Sequence, residues 1–168
     1  MAVYEERISE AAATLLDCAC VALEDDCPDA VYLTAGPPAW DNCCEGDTGG
    51  QLTAHLVETF PYQPWPTRVT PLDPCKGSEW AAVFTVALVK CHPAVDGNGV
   101  PPDPDVLDAA ARDVNRWTAL MRKALQCCPD FRVSVTGSQV QLAPNGGCVG
   151  IGFRVIVDLA DRTLREGS

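Results

Sequence analysis

Two stretches of the chain repeat apolar residues at helical spacing. The first, residues 4–24, is acidic near its start, where negative charge suits the positive end of a helix dipole. Its apolar positions are Ile8, Ala11, Ala12, Leu15, Ala19 and Leu23. The second follows Asp103 or Asp105, either of which can cap a helix that has Pro104 in its first turn. Its apolar stripe, which ends before Pro129, is Leu107, Ala110, Val114, Trp117, Met121, Leu125 and Cys128. The sequence therefore predicts two long amphipathic helices.

Strand patterns occupy much of the chain between and after these helices. Residues 30–35 form a short apolar run, and residues 51–60 alternate between apolar and polar side chains, as half-buried strands do. Residues 80–91 are apolar on both faces. That pattern is typical of a central strand covered by a helix on one side and by another layer or a subunit on the other.

The closing part of the chain has two predicted turns. Residues 131–136 and 139–143 flank Gly137 and Ser138, which fit a two-residue hairpin turn. The next turn is the stretch "PNGG", and residues 149–159 then alternate without a break. These residues should complete the sheet.

The elements follow the order α-β-β-β-α-β-β, which predicts an α+β fold. We expect a mainly antiparallel mixed sheet with two long helices packed on one face. Residues 1–168 are expected to form a single domain, because the chain shows no internal repeat and no second domain. Long loops are expected at residues 61–79 and 92–104, and residues 160–168 form a polar tail.

The two long loops supply the candidate interface residues. Loops of this length in a compact domain are usually functional or disordered. We expect Tyr62 and Trp65 to be exposed aromatic anchors, although Trp65 could instead fold back onto its own core. The full set of candidate interface residues is Tyr62, Trp65, Val69, Leu72, Val95 and Val100.

Composition and charge exclude several classes of protein. The formal net charge of −11 argues against a protein that wraps DNA, because such a surface needs clustered Lys and Arg. No apolar run approaches the roughly 20 residues of a membrane-spanning helix. The N-terminal residues are acidic where a signal peptide would be basic, so a cytosolic or cell-interior protein is expected.

Ten cysteines are many for a protein inside a cell. A zinc ribbon needs Cys-x-x-Cys pairs, and the chain has none, but Cys-x-Cys occurs once and Cys-Cys twice. We favour mostly free, buried thiols that pack as small apolar groups. Structural disulfides formed after assembly or lysis, or a metal site, remain as alternatives. A secreted, disulfide-stapled domain would also explain the number, but nothing in the sequence directs secretion.

The sequence contains no convincing catalytic or metal-binding constellation. The stretch "GGCVG" around Cys148 resembles a nucleophile turn, but a cysteine nucleophile needs a partner histidine. Only His55 and His92 exist, one within a predicted strand and one beside Pro93. Asp41, Glu45 and Asp47 have side chains that could bind a divalent cation, but we favour a solvated acidic turn. We therefore expect no enzyme activity, no catalytic residue, no cofactor and no metal.

Several ordered motifs resemble one family of proteins. They are "AWDNCC", "GGQL" entering a strand, "VALVKCHP" ending one, "DPDVLDAAARDVNRW" opening a helix, "ALQCC" closing it and "PNGGCVGIGFRVIVDL". In this order they look like small neck proteins of long-tailed phages of actinobacteria, similar to tail terminators. The resemblance runs from about Ala30 to Leu159. It implies the tail-terminator fold, a mixed sheet flanked by helices.

The resemblance also implies a function. Such a protein forms a hexameric ring that ends the tail tube and joins it to the head connector, with DNA passing through the lumen without specific binding. It is assembled in the host cytoplasm, resides in the virion, and its partners are the tail tube protein below and the stopper or connector above. Cys43 and Cys44 would be packing residues at a joint beside Trp40. The alternatives are the head-to-tail stopper or connector of the same neck, or a cytosolic cysteine-rich metal or redox protein.

Overall fold

Two long helices and five strands make up the described parts of the chain, in the order expected from the sequence. The computed structural model describes residues 2–38, 43–44, 49–69, 79–129, 131–145 and 147–160. The helices and strands are α1 (Ala2–Leu23), β1 (Ala30–Leu33), β2 (Gln51–Tyr62), β3 (Glu79–Cys91), α2 (Pro104–Gln126), β4 (Val133–Asn145) and β5 (Cys148–Asp158), and a short 3-10 turn (Glu24–Asp26) follows α1. This confirms the predicted α+β class.

The strands form one mixed sheet in the order β1-β2-β3-β5-β4. Strand β1 runs parallel to β2, and the other neighbouring pairs are antiparallel. The central strand is β3, which pairs with β2 through one bulge near Leu56 and with β5 in unbroken register. The prediction of a central strand at residues 80–91 is therefore confirmed.

The hairpin predicted at Gly137 and Ser138 is wrong. Both residues lie inside β4, which is one continuous strand with a register shift between Val135 and Gln139. A bulge of this kind bends a strand without ending it. Because β5 is long enough to pair with both halves of β4, the strand continues across the two residues that suggested a turn.

One face of the sheet packs against both helices and forms the main core. The even-numbered side chains of β3 point to this face, where Phe84, Val86 and Leu88 are almost completely buried. Helix α1 contributes Leu15 and Leu23 to the same cluster. Helix α2 contributes Val114, Trp117, Met121 and Leu125, four members of the stripe predicted from the sequence. The expected packing of two helices on one face is thus observed.

The ends of α2 follow from local chemistry. The side chain of Asp103 accepts a hydrogen bond from the backbone N–H of Asp105 at 2.9 Å, so Asp103 is the N-cap and Pro104 opens the helix. The salt bridge between Arg116 and Asp26 (2.5 Å) ties α2 to the turn that follows α1. The start of α2 lies near the end of β3, because Val106 and Ala109 line one cavity together with Cys91.

The other face of β3 is also buried. Ala81, Val83, Ala87 and Val89 are each at most 1% exposed, although no helix lies on this side within the described residues. Phe60 and Tyr62 pack beside Ala81 and Val83 at one end, and Cys43 packs beside Val89 and Cys148 at the other. Segments of the same chain thus cover part of the face that the sequence assigned to another layer or a subunit.

Eight of the ten cysteines form four disulfides, so the expectation of mostly free thiols is wrong. The bonds join Cys18 to Cys128, Cys20 to Cys27, Cys43 to Cys148 and Cys44 to Cys91. Cys127 is free and exposed, and Cys75 lies outside the described residues. Three of the four bridges join residues at least 47 positions apart, and such pairings cannot be deduced from a linear sequence.

Two adjacent cysteines are bonded to two strands that pair with each other. Cys91 of β3 lies directly opposite Cys148 of β5 in the sheet register. Cys44 bonds the first and Cys43 bonds the second. The joint at Cys43 and Cys44 is therefore covalently fastened across β3 and β5, rather than held by packing alone as the resemblance implied.

Gly50 lets the chain enter β2 closely against β3. It has a φ of 90°, and a Cβ atom at this position would lie 2.3 Å from the carbonyl oxygen of Val89. Only glycine fits such a contact without displacement of the backbone. The ammonium of Lys90 donates to the carbonyls of Asp26 (3.2 Å) and Gly49 (3.0 Å), so it joins this entry point to the 3-10 turn that follows α1.

The bond between Cys18 and Cys128 should be a major source of stability. It closes a loop with a sequence separation of 110 residues and joins α1 to the segment that directly follows α2. We expect the double change Cys18→Ala and Cys128→Ala to lower the free energy of unfolding by about 3–5 kcal/mol, because the unfolded chain gains entropy. Urea unfolding under non-reducing conditions measures this. The matched control Cys127→Ala, at the exposed free thiol, should change it by no more than about 0.5 kcal/mol. Equal stability of the two variants would contradict the expectation.

Candidate interaction surfaces

Residues 63–69 form a compact reverse turn after β2. The backbone N–H of Gln63 donates to the carbonyl of Thr67 at 3.0 Å, and that of Thr67 donates to Pro64 at 2.7 Å. The N–H of Val69 reaches back to Pro61 at 3.1 Å, and Tyr62 bridges to Arg68. The first part of the predicted long loop is thus an ordered extension of β2.

Tyr62 is buried, so the expectation that it is an exposed anchor is wrong. It is 4% exposed and belongs to β2, and its hydroxyl donates to the buried carboxylate of Asp158 at 2.6 Å. Burial, followed by the neighbouring carboxylate, raises the pKa of this phenol well above its ordinary value. Tyr62 therefore ties β2 to the end of β5.

Trp65 is partly buried and packs on its own domain. Its ring meets that of Tyr62 edge to face, with the ring centres 5.0 Å apart. This is the alternative in which Trp65 folds back, although part of the indole stays accessible. Val69 is also partly buried, and Leu72 lies outside the described residues.

Three arginines surround this aromatic turn. The guanidinium of Arg68 lies 4.8 Å from the centre of the Phe60 ring, and that of Arg132 lies 5.4 Å from the centre of the Trp65 ring. Glu58 accepts hydrogen bonds from both Arg68 and Arg154, and the bond from Arg68 is the main cause of the lowered pKa of Glu58. The outer side of the turn is therefore a mixed aromatic and cationic surface.

The second predicted loop carries the two exposed candidate residues. Val95 and Val100 are 59% and 58% exposed. Between them Asp96 accepts hydrogen bonds from the backbone N–H groups of Val100 (2.9 Å) and Asn98 (2.8 Å), which lower the pKa of its carboxyl group. The valines are thus presented to solvent by an ordered turn, and their contact with a partner stays a prediction.

A cavity of about 270 Å³ lies between the start of α2 and the ends of β3 and β5. His92 and Asp113 line it together with mainly apolar side chains, which include Pro93, Val106, Ala109, Ala110, Trp117 and Val149. Val106 and Leu107 are exposed on the same stretch of α2. The sequence predicted that Leu107 belongs to the core stripe, but its side chain is exposed. The first turn of α2 therefore extends beyond the sheet. The apolar surface of the second loop therefore continues onto α2.

The edge of the sheet at β1 is a surface that the sequence analysis missed. All four residues of β1 are exposed, including Val31, Tyr32 and Leu33. Leu56 and Val57 of β2 are also exposed, at 40% and 45%, beyond the point where β1 ends. The short apolar run at residues 30–35 is typical of a buried strand, so the sequence did not indicate that this strand lies at an edge of the sheet. Edges of this kind can pair with another chain.

The cysteine, histidine and acidic side chains that could act in catalysis do not form a reaction centre within the described parts of the chain. No group of three metal-binding side chains occurs there. The sulfur of Cys148 is bonded to Cys43, so it is not available as a nucleophile. His55 lies on the sheet face away from the helices, opposite Thr85, and His92 lies at the rim of the cavity. Asp41, Glu45 and Asp47 lie outside the described residues.

No family model matches this chain, and no curated protein shows significant similarity to it. None of the helices in the described residues combines the length and apolar character needed to cross a membrane.

Loss of the Tyr62 hydroxyl should destabilise the fold. We expect Tyr62→Phe to lower the free energy of unfolding by about 1.5–3 kcal/mol, because the buried carboxylate of Asp158 loses a donor. The matched control is Tyr32→Phe, in which an exposed tyrosine loses its bond to Gln51, and a change below about 1 kcal/mol is expected. Urea unfolding compares the two. Similar losses of unfolding free energy in the two variants would contradict the expectation that the buried bond between Tyr62 and Asp158 contributes more.

Stability should also depend on His55 in mildly acidic solution. Burial lowers the pKa of His55 below its ordinary value of 6.5, and Nδ1 has no hydrogen-bond partner among the described residues. Below pH 6.5 the unfolded chain therefore binds a proton that the folded chain resists, and stability falls as the pH drops towards the folded-state pKa. We expect His55→Gln to remove this component of the slope between pH 7.5 and pH 5.5, measured by urea unfolding at each pH. Parallel slopes for the two proteins would contradict the expectation.

Proposed function

We propose that this chain is a structural neck protein of a long-tailed phage. In this role it forms a ring that terminates the tail tube and joins it to the head connector. The observation that carries the proposal is the amount of apolar side chain left in solvent on an otherwise well-packed domain. It occurs at the β1 edge, in the second loop and at the start of α2. Such surfaces are typical of proteins that work by contact with other chains.

The fold is compatible with this role. A mixed sheet with two long helices on one face is the architecture that the resemblance to tail terminators implies. A head-to-tail stopper or connector of the same neck is the nearest alternative, but we expect stoppers to be more purely β-barrel. The two helices of 22 and 23 residues therefore favour the terminator.

Charge supports the passage of DNA through such a ring. With a net charge of −11, each subunit offers DNA little that could bind its phosphates. A lumen lined by acidic side chains would repel the backbone, so that DNA slides without adhering. Specific recognition of a base sequence is not part of the proposal.

The disulfides fit a protein that works outside the cell after assembly inside it. Disulfides are rare in the cytosol and persist in oxidising surroundings, which include the surface of a released virion. In the proposed role the thiols close their bonds with dissolved oxygen as oxidant after release. The same four bonds favour a second candidate, an exported binding domain held by disulfides.

A cysteine-rich metal or redox protein is less well supported. Eight sulfurs are engaged in disulfides, so few thiols remain to bind a metal among the described residues. Elemental analysis of the oxidised protein separates this class from the structural proteins, because a resident zinc ion would appear in stoichiometric amount.

The proposed function predicts six copies in a closed ring. We expect two-dimensional class averages of the concentrated protein, or of the neck of the virion that contains it, to show sixfold symmetry. Native mass spectrometry of the isolated ring should give six times the 17.9 kDa chain mass. A neck layer with another copy number would contradict the terminator assignment. An exported domain would instead carry its disulfides without any ring.

A further inference from the structure

We propose that copies of this chain bind one another head to tail. The turn around Trp65 of one copy would rest on the acidic apolar surface at the start of α2 of the next. The occupant of that surface is thus a second copy of the chain. The proposal deepens the ring of the proposed function and rests on it for closure of the ring, whereas the contact itself can be tested separately.

The first partner surface, here called the acidic end, combines exposed valines with carboxylates. Val95, Val100 and Val106 are each between 48% and 59% exposed. Exposed carboxylates surround them, namely Asp96, Asp103, Asp105 and Asp108, and Asp108 is paired with Arg112. The cavity of about 270 Å³ opens beside Val106. This surface suits a partner that carries apolar groups and positive charge.

The second partner surface, here called the arginine turn, has the opposite character. It comprises residues 63–68 with Arg132 and Arg154 beside them. Pro64 and Pro66 are exposed on either side of the partly buried Trp65. Arg68, Arg132 and Arg154 are three of only 12 basic residues in the chain, and Glu58 neutralises part of their charge. The turn is held by three backbone hydrogen bonds, so its shape exists before binding.

Charge explains why copies should meet in this way. Each copy has a net charge of −11, so most approaches of one copy to another are repulsive. The arginine turn is a place where positive charge is concentrated. Its contact with the acidic end brings opposite charges together and avoids the repulsion between like surfaces. Exposed ion pairs are weak, so they select the orientation while apolar contacts supply most of the affinity.

The positions of the two surfaces determine the symmetry. The arginine turn follows Tyr62, which pairs with Glu79 at the start of β3, and the acidic end follows Cys91 at the finish of β3. They are separated by a strand of 13 residues, or about 40 Å at about 3.3 Å per residue. A copy therefore cannot use its own arginine turn. Contact between two different surfaces is heterologous, and it produces a ring when the rotation closes.

The cavity at the acidic end can hold an apolar group of the arginine turn. A cavity of about 270 Å³ accommodates one proline ring or the accessible part of an indole, and it is lined mainly by apolar side chains. Aromatic side chains that enter such pockets are frequent sources of binding energy at interfaces. We expect Pro64, Pro66 and the outer side of Trp65 to approach Val106.

Photo-cross-linking of the full chain tests the contact. The photoreactive residue p-benzoyl-phenylalanine replaces Val100, and copies with natural and ¹⁵N isotope content are mixed at about 1 mM, where even a Kd of about 1 mM populates the complex. Cross-links between differently labelled peptides then report contacts between copies. We expect them to join position 100 to residues 63–68. The matched control places the photoreactive residue at Val21, which is 78% exposed on α1, and should not reach that segment.

Charge reversal provides a second measurement. Asp105→Lys with Asp108→Lys changes the acidic end, and Arg68→Gln with Arg132→Glu changes the arginine turn. Each variant alone should give about tenfold less cross-link at these segments. A mixture of the two variants should recover most of it, because each reversed surface then meets a complementary one. Thermal unfolding of each variant checks that it is folded, and restoration in the mixture could not come from unfolded chains.

The outcomes separate this contact from the neck role. A ring whose cross-links join other segments overturns the contact and leaves the proposed function standing. Cross-links to residues 63–68 in open filaments support the contact and overturn the closed ring. Absence of any cross-link between copies at about 1 mM overturns the contact, as does a mixture of variants that recovers nothing.

Discussion

Burial of β3 on both faces is the constraint on which the rest of the structure depends. The strand is apolar at nearly every position, so it is stable only if two layers remove it from water. The helices cover one side. The other side is covered by two smaller clusters, the aromatic side chains around Tyr62 and the disulfide-bonded cysteines near Val89. The position of the arginine turn follows from this requirement, because the turn continues the end of β2 that covers Ala81 and Val83.

Much of the fold could be predicted from the sequence because it depends on local periodicity. The stripe of α2, its start at Pro104 and the two-sided apolar run of β3 are visible within short windows. The disulfides could not be predicted, since the pairing of Cys91 with Cys148 depends on strand register. The hairpin turn predicted at Gly137 and Ser138 was wrong for a related reason. Turn-forming residues also occur in bulges, and only the pairing with the neighbouring strand distinguishes a bulge from a turn.

The candidate surfaces were predicted unevenly. Val95 and Val100 lie between prolines, glycines and aspartates, a composition that reliably indicates solvent exposure, and they are exposed. Tyr62 was misjudged because β2 continues past Pro61, so the alternation of the strand extends further than its proline suggests. The buried acceptor Asp158, which lies 96 residues away, gives no local signal. Exposure of β1 depends on which strand takes the edge, and that is a property of the whole sheet.

The pair Cys43 and Cys44 also determines how the domain responds to mechanical force. Antiparallel strands joined only by hydrogen bonds can be pulled apart one bond at a time. Here the opposed residues Cys91 and Cys148 are each bonded to one of two consecutive residues, so a covalent bridge of two disulfides and one peptide bond joins the end of β3 to the start of β5. Tension that separates these ends must stretch disulfides and a peptide bond before it opens the ladder. This corner of the sheet is therefore suited to carry load, and its resistance would be lost on reduction without any change in sequence.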